Sequence, residues 1–178
     1  ERRLAFIRGD LNATRENPAA YKKHVLPVIK KGDAYTWFHH GLLNVKTGEH
    51  DADPNFTEPT FEALFEKMHG VAPSGDFYDA YKLVKSWRDA LQKAFWVNAG
   101  NPNKQKLVDA LDKMIKDPES VAAIEKKVGK YEWRTGADGD AAVRTLKSFI
   151  TPKALKTLAD FKSKQLGYNT VYKEELTQ

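Results

Sequence analysis

The sequence predicts an α/β protein, helix-rich with short strands, and three observations carry that prediction. Apolar residues recur at helical spacing along the chain, as in Leu107, Val108, Leu111, Met114 and Ile115. Between the helical stretches lie brief runs suited to strands, such as Ala34–His40 with its Tyr, Thr, Trp and Phe. Gly or Pro punctuates the junctions. Helices alternating with short strands are the pattern of a layered α/β fold.

Taken in order, residues 1–8 read as the end of an element already under way, with Gly9 as its terminator. Leu11–Thr14 reads as a short strand that delivers Arg15, Glu16 and Asn17 to the mouth of a helix over about 18–31. Asn17 suits the N-cap, and Pro18 suits the first turn, where a missing N–H costs nothing. That helix puts Tyr21, Val25, Val28 and Ile29 on one face; Pro27 should bend it or close it early, and Gly32 ends it. Ala34–His40 is the next strand, and 41–58 is loop-like.

Thr60 then caps a short helix carrying Phe61, Leu64, Phe65 and Met68, which Gly70 stops. A longer helix over about 77–94 has Tyr81, Val84, Trp87 (or Arg88) and Leu91 on its face. Phe95–Asn98 reads as a short buried strand, and Pro102 opens the helix with the Leu107–Ile115 stripe. Asp117-Pro118-Glu119 restarts the chain as a helix to about 128, its carboxylates at the positive end. Gly129 ends it, Tyr131–Thr135 reads as a strand and Gly136–Asp140 as a turn. Helix 141–150 follows. Thr151-Pro152 begins a last helix to about 166, with Leu155, Leu158 and Phe161 inward. The aromatic set Tyr35, Trp37, Phe38, Trp87, Phe95 and Trp96 reads as core.

Composition narrows the function. The chain has 178 residues, 41% hydrophobic and 30% charged, so it can bury a sizeable core and is not of disordered type. Its net charge of +5 is spread along helices that mix Lys and Glu, without the clustered basic patch of a nucleic-acid binder. A mild positive surplus suits an anionic ligand. Cysteine is absent, which excludes disulfides and thiolate metal sites. The sequence has no Gly-x-Ser-x-Gly, no His-Glu-x-x-His and no phosphate-binding Gly-rich loop with Lys-Ser/Thr. Gly136-Ala-Asp-Gly-Asp140 lacks the length and final Glu of a calcium loop. His39, His40 and His50, with Asp51 and Asp53, are the candidates for a metal site, but adjacent strand histidines point to opposite faces. No metal and no cofactor is expected.

The strongest candidate site is therefore the corner of Thr14, Arg15, Glu16 and Asn17. A strand that ends in polar residues at a helix N-terminus offers backbone N–H groups and a positive dipole end to an anion. Arg15 adds a two-pronged guanidinium. Solvated charges at an ordinary turn are the competing reading.

The order of pieces resembles the second half of a tripartite tricarboxylate transporter receptor over roughly residues 5–165. The resemblance rests on Gly9-Asp-Leu-Asn-Ala-Thr-Arg-Glu-Asn17, a Pro-led helix, Asp53-Pro…Glu58-Pro-Thr-Phe-Glu-Ala-Leu64, Phe95-Trp-Val-Asn-Ala-Gly-Asn-Pro102 and Lys116-Asp-Pro-Glu119. It implies lobes of the type II periplasmic-binding-protein kind, apparently incomplete. Residues 1–95 would be a second-lobe segment, 96–167 a segment returning to the first lobe, and 168–178 a tail. It also implies an extracytoplasmic, non-catalytic protein that captures a small organic carboxylate and passes it to a membrane permease, with Thr14 to Asn17 lining the cleft. Arg15-Glu16 is bulkier and more charged than the family's usual small polar pair.

The family's first half is not in the sequence, and the start at Glu1, without Met or signal peptide, fits a fragment or a subunit resting on another chain. Uncovered sheet edges and apolar helix faces are then expected. The alternative function is a non-catalytic accessory or interface subunit built from a binding-protein-like lobe. An enzyme would need an acid–base pair, for which Glu16 with His39 or His40 is the one candidate.

Overall fold

Helix boundaries fall where caps and glycines place them. The computed structural model describes residues 2–91 and 94–169. Helix α1 (Arg2–Ile7) closes in a Schellman motif: Gly9 has φ +83° and donates to Phe6 O, and Asp10 N–H donates to Ala5 O at 2.8 Å. Asn17 caps α2 (Pro18–Ala20), its side chain accepting from Ala20 N–H at 2.9 Å. The helix then widens to a π turn over Tyr21–Val25, with Leu26 N–H bonded to Tyr21 O, before α3 (Leu26–Lys30). Pro27 explains the widening. Its ring crowds the preceding turn and supplies no N–H, so the helix takes in an extra residue ahead of it and continues.

Thr60 accepts from Ala63 N–H and starts α4 (Phe61–His69), which Gly70 stops in the left-handed region. Helices α5 (Asp76–Leu91), α6 (Lys104–Lys116), α7 (Pro118–Val128) and α9 (Pro152–Leu166) lie close to their expected positions. Residues 92 and 93, expected in α5, lie outside the described residues, as do the side chain of Leu91 and most of the 168–178 tail. Helix α8 (Gly136–Ser148) begins five residues earlier than expected. The glycines of Gly136-Ala-Asp-Gly-Asp140 sit in its first turns, where they cost little, and Asp138 faces the positive helix end.

The strands are the main correction. Among the described residues the one ladder is antiparallel, β1 (Leu42–Leu43) with β2 (His50–Asp51), inside the stretch expected to be loop. Asn44 builds the turn between them: its side-chain oxygen accepts from Lys46 N–H, and its carbonyl accepts from Gly48 N–H. Leu11–Thr14, Phe95–Asn98 and Tyr131–Thr135 form no ladder. Ala34–His40 alternates outward and inward like a strand, yet makes a single bridge, His39 to Thr60. Strand residues make a strand only when a neighbouring strand pairs with them, and among the described residues these runs meet no ladder partner beyond that one bridge. The chain is thus helix-rich with one short two-stranded sheet, a mixed α/β class.

The core lies where α5 packs against α9, α8 and β1. Leu43, Ala80, Leu83, Ser86, Ala142, Leu146, Ala154 and Ala159 are buried there, and the alanines let the helices approach closely. Two expected faces shift. Ala80, Leu83 and Ser86 are buried on α5 while Val84 is exposed, and Ala154 and Ala159 are buried on α9 while Phe161 stays at the surface. Of the expected aromatic core, Tyr35, Trp37, Phe95 and Trp96 are 61–82% exposed. A second cluster holds Tyr21 and Val25 beside the loop that carries Asp53 and Phe56. Among the described residues no helix is long and apolar enough to cross a membrane.

Candidate functional site

Four residues in sequence, Thr14 to Asn17, occupy the corner between α1 and α2, and α1 fixes them from the other side. Arg3 grips Glu16 with two parallel bonds, Nε to Oε1 and Nη2 to Oε2, both 3.0 Å. This bond, opposed by partial burial, holds the Glu16 carboxyl below the usual carboxylate range. Arg2 Nη2 donates to the carbonyl of Arg15 at 2.6 Å. The Arg15 carbonyl and the Glu16 side chain that follows it are therefore anchored, while the Arg15 side chain is exposed.

Each residue has a distinct part. Asn17 is used up as the cap, and Tyr21 N–H is bonded to its carbonyl, so the protein itself fills the helix opening that an anion was expected to share. Glu16 is neutralised by Arg3 and cannot also serve as a free base. His24, on the π turn, lies close enough to act on the Glu16 charge. His39 and His40 are engaged elsewhere, so the candidate acid–base pair is not assembled. Thr14 Oγ1 is buried without a hydrogen-bond partner among the described residues. The chemistry left at this corner is the exposed Arg15 guanidinium, on a backbone fixed at its carbonyl.

A second polar cluster was not singled out as a unit by the sequence. β2, α4 and α5 converge on His50: its Nε2 is 3.1 Å from Ser86 Oγ, and its Nδ1 is 3.5 Å from Glu62 Oε1. Tyr78 donates to the same Glu62 oxygen at 3.3 Å. Burial works to raise the Glu62 carboxyl, but the His50 contact, its own backbone N–H and nearby Lys85 take it below the usual range. The same burial, with the Glu62 charge, pushes the Tyr78 phenol well above its ordinary value. The order Ser86–His50–Glu62 is that of a hydrolytic relay. Ser86 is fully buried in mid-helix, however, so no substrate carbonyl reaches it, and the cluster acts as a tie between three elements. Of this cluster only His50 was a candidate in the sequence; Glu62, Tyr78 and Ser86 were not, since a glutamate, a tyrosine or a serine inside a helix carries no signal of its own.

Among the described residues no group of three or more His, Asp or Glu side chains is arranged to hold a metal. A cleft of about 260 Å³ lies between α5 and α9, lined by Asp76, Phe77, Asp160 and Phe161 among others. Its carboxylates are already paired, Asp76 with Lys153 at 2.7 Å and Asp160 with Lys156 at 2.9 Å. Lys164, which also lines the cleft, lies 3.7 Å from Asp160 as well, so its cation is already engaged by a carboxylate. Comparison with protein-family models, with curated proteins and with solved structures finds no match.

Proposed function

We propose that this chain is an extracytoplasmic solute-binding protein, or part of one, that captures a small organic carboxylate for a tripartite tricarboxylate-type transporter. The observation that carries the reading is the presentation of Arg15. Its guanidinium is exposed, whereas Arg2 holds its carbonyl, Arg3 holds the side chain of Glu16 and Asn17 caps the helix that follows. The planar fork of a guanidinium matches a carboxylate in two-pronged fashion and loses less entropy per hydrogen bond than an ammonium does. The protein acts as a carrier without chemistry of its own, handing its ligand to a membrane permease. The lobes are of the type II binding-protein kind, with the 1–95 segment belonging to the second lobe and 96–167 returning to the first.

Thermal-shift screening against mono-, di- and tricarboxylates tests this, because a ligand that binds only the folded state raises the unfolding temperature by mass action. Stabilisation by one acid class, weakened by added salt, is expected. A flat response to every acid, from material that unfolds cooperatively, would remove the proposal.

One observation favours a second reading, an accessory or interface subunit. Tyr35, Trp37, Phe95 and Trp96 are large aromatics left on the surface, the side chains that protein interfaces favour. In a fixed complex these four would be covered. Limited labelling of the tryptophans in source material, compared with the purified chain, separates the two readings.

A further inference from the structure

We propose that His39 is an acid-sensitive latch that holds the 34–60 segment against α4 only while its ring is neutral. The ring of His39 is buried and stacked on Phe56 at a centroid distance of 5.2 Å; the ring holds one backbone connection and the residue's own backbone holds another, so expelling the ring pulls on both. Its Nδ1 accepts the N–H of Gly41 at 2.9 Å, at the entrance to β1. Its own backbone N–H donates to Pro59 O, and its carbonyl accepts from Phe61 N–H, at the first turn of α4. An acceptor at Nδ1 requires the tautomer protonated at Nε2, and that nitrogen is buried without a hydrogen-bond partner among the described residues. Adding a proton at Nδ1 sets N–H against N–H and breaks the Gly41 bond. The position of Gly41 itself is tightly defined, since a Cβ there would come within 2.5 Å of Asp51 O.

The charges around the ring come from every element packed on it. Asp53 and Glu58 on the following loop favour the imidazolium, whereas Lys85 of α5 disfavours it. Neighbouring His40 bonds Tyr81 through Nδ1 at 2.8 Å and is itself surrounded by Lys85, Glu62, His39 and His50. Burial is the largest influence on both rings and, with Lys85, sets their affinity for protons below that of a free histidine. The unfolded segment therefore binds more protons than the folded one below about pH 6.5, the ordinary histidine value, and stability is lost as pH falls from there through the folded values. All five histidines precede residue 70, so α8 and α9 carry none, whereas α5 is touched by His40 through Tyr81 and by His50 through Ser86.

Amide hydrogen exchange of the purified chain between pH 7.5 and 5, corrected for intrinsic rates, tests the latch. Protection at Gly41 and Phe61 should fall about tenfold or more across that range while α8 and α9 hold theirs. His39→Asn, which keeps an acceptor near the Nδ1 position but has no charge to gain, should keep whatever protection it has across the range. If His39→Asn fails to fold, the imidazole resonances of the wild-type chain decide: titration below about pH 6.5 in step with the Gly41 amide supports the latch. Protection that does not change with pH, a His39 ring titrating at or above the free value, or a His39→Asn chain as acid-labile as the parent would each overturn it.

Discussion

Leu146→Ala probes the core that positions everything else. Leu146 is fully buried on α8, and the other buried side chains of α8 and α9 are alanines, which have no rotamers with which to fill a hole. Removing three side-chain carbons forfeits about 2–2.5 kcal/mol of transfer free energy at about 0.8 kcal/mol per methylene. The cavity left by an unyielding surround adds to this, so a total of about 3–5 kcal/mol is expected, the upper part of the range for buried leucines. Loss on that scale is a large fraction of the stability of an ordinary domain. The assay is urea unfolding followed by tryptophan fluorescence and by circular dichroism, with Leu107→Ala as the control. Leu107 is 46% exposed, and its truncation should cost less than about 1 kcal/mol. The midpoint for Leu146→Ala should drop without a change in slope. A cost below about 1 kcal/mol for Leu146→Ala, or the two variants losing equally, would refute a core centred on α5, α8 and α9.

Three further outcomes follow from the local geometry. Ser86→Ala leaves His50 Nε2 facing a methyl group in a buried site and should cost about 1–3 kcal/mol by urea unfolding, more than the same change at exposed Ser163. Gly41→Ala should be far more damaging than Gly70→Ala: both have positive φ, but only at Gly41 does the added Cβ meet backbone, and loss of the β1–β2 amide protection would report it. Thr151→Ala removes the side-chain acceptor for Ala154 N–H at the start of α9 and should cost about 0.5–2 kcal/mol, with Thr151→Ser close to neutral. Equal effects of the Ala and Ser changes would show that the cap is not the source.

The sequence was most informative where physics is local. Caps at Asn17, Thr60, Asp117 and Thr151, and stops at Gly9, Gly32, Gly70, Gly129 and Gly167, act within one turn of chain, and each falls where it was expected. Pro27 was legible as a disturbance; that it produces a π turn and not a break depends on the packing of Tyr21 and Val25. Strands were the least legible, because residues such as Tyr35 and Trp37 carry strand propensity but not the identity of a partner strand. The same limit explains the aromatics: a ring is core only if another surface meets it, and for Phe95 and Trp96 none of the described residues does so. At the Arg15 corner the residues were legible and their division of labour was not. That Arg3 would neutralise Glu16 depends on how α1 folds back across 13 positions of sequence.

Whether Arg15 receives a carboxylate is decided by calorimetric titration of the best-stabilising organic acid into the parent chain, Arg15→Lys and Arg15→Ala. Arg15→Ala should lose about 1.5–3 kcal/mol of binding, roughly ten- to a hundredfold in affinity, with unchanged unfolding temperature in the absence of acid. Arg15→Lys should fall between, because it keeps the charge and loses the fork. Binding of equal strength by all three chains would contradict the account.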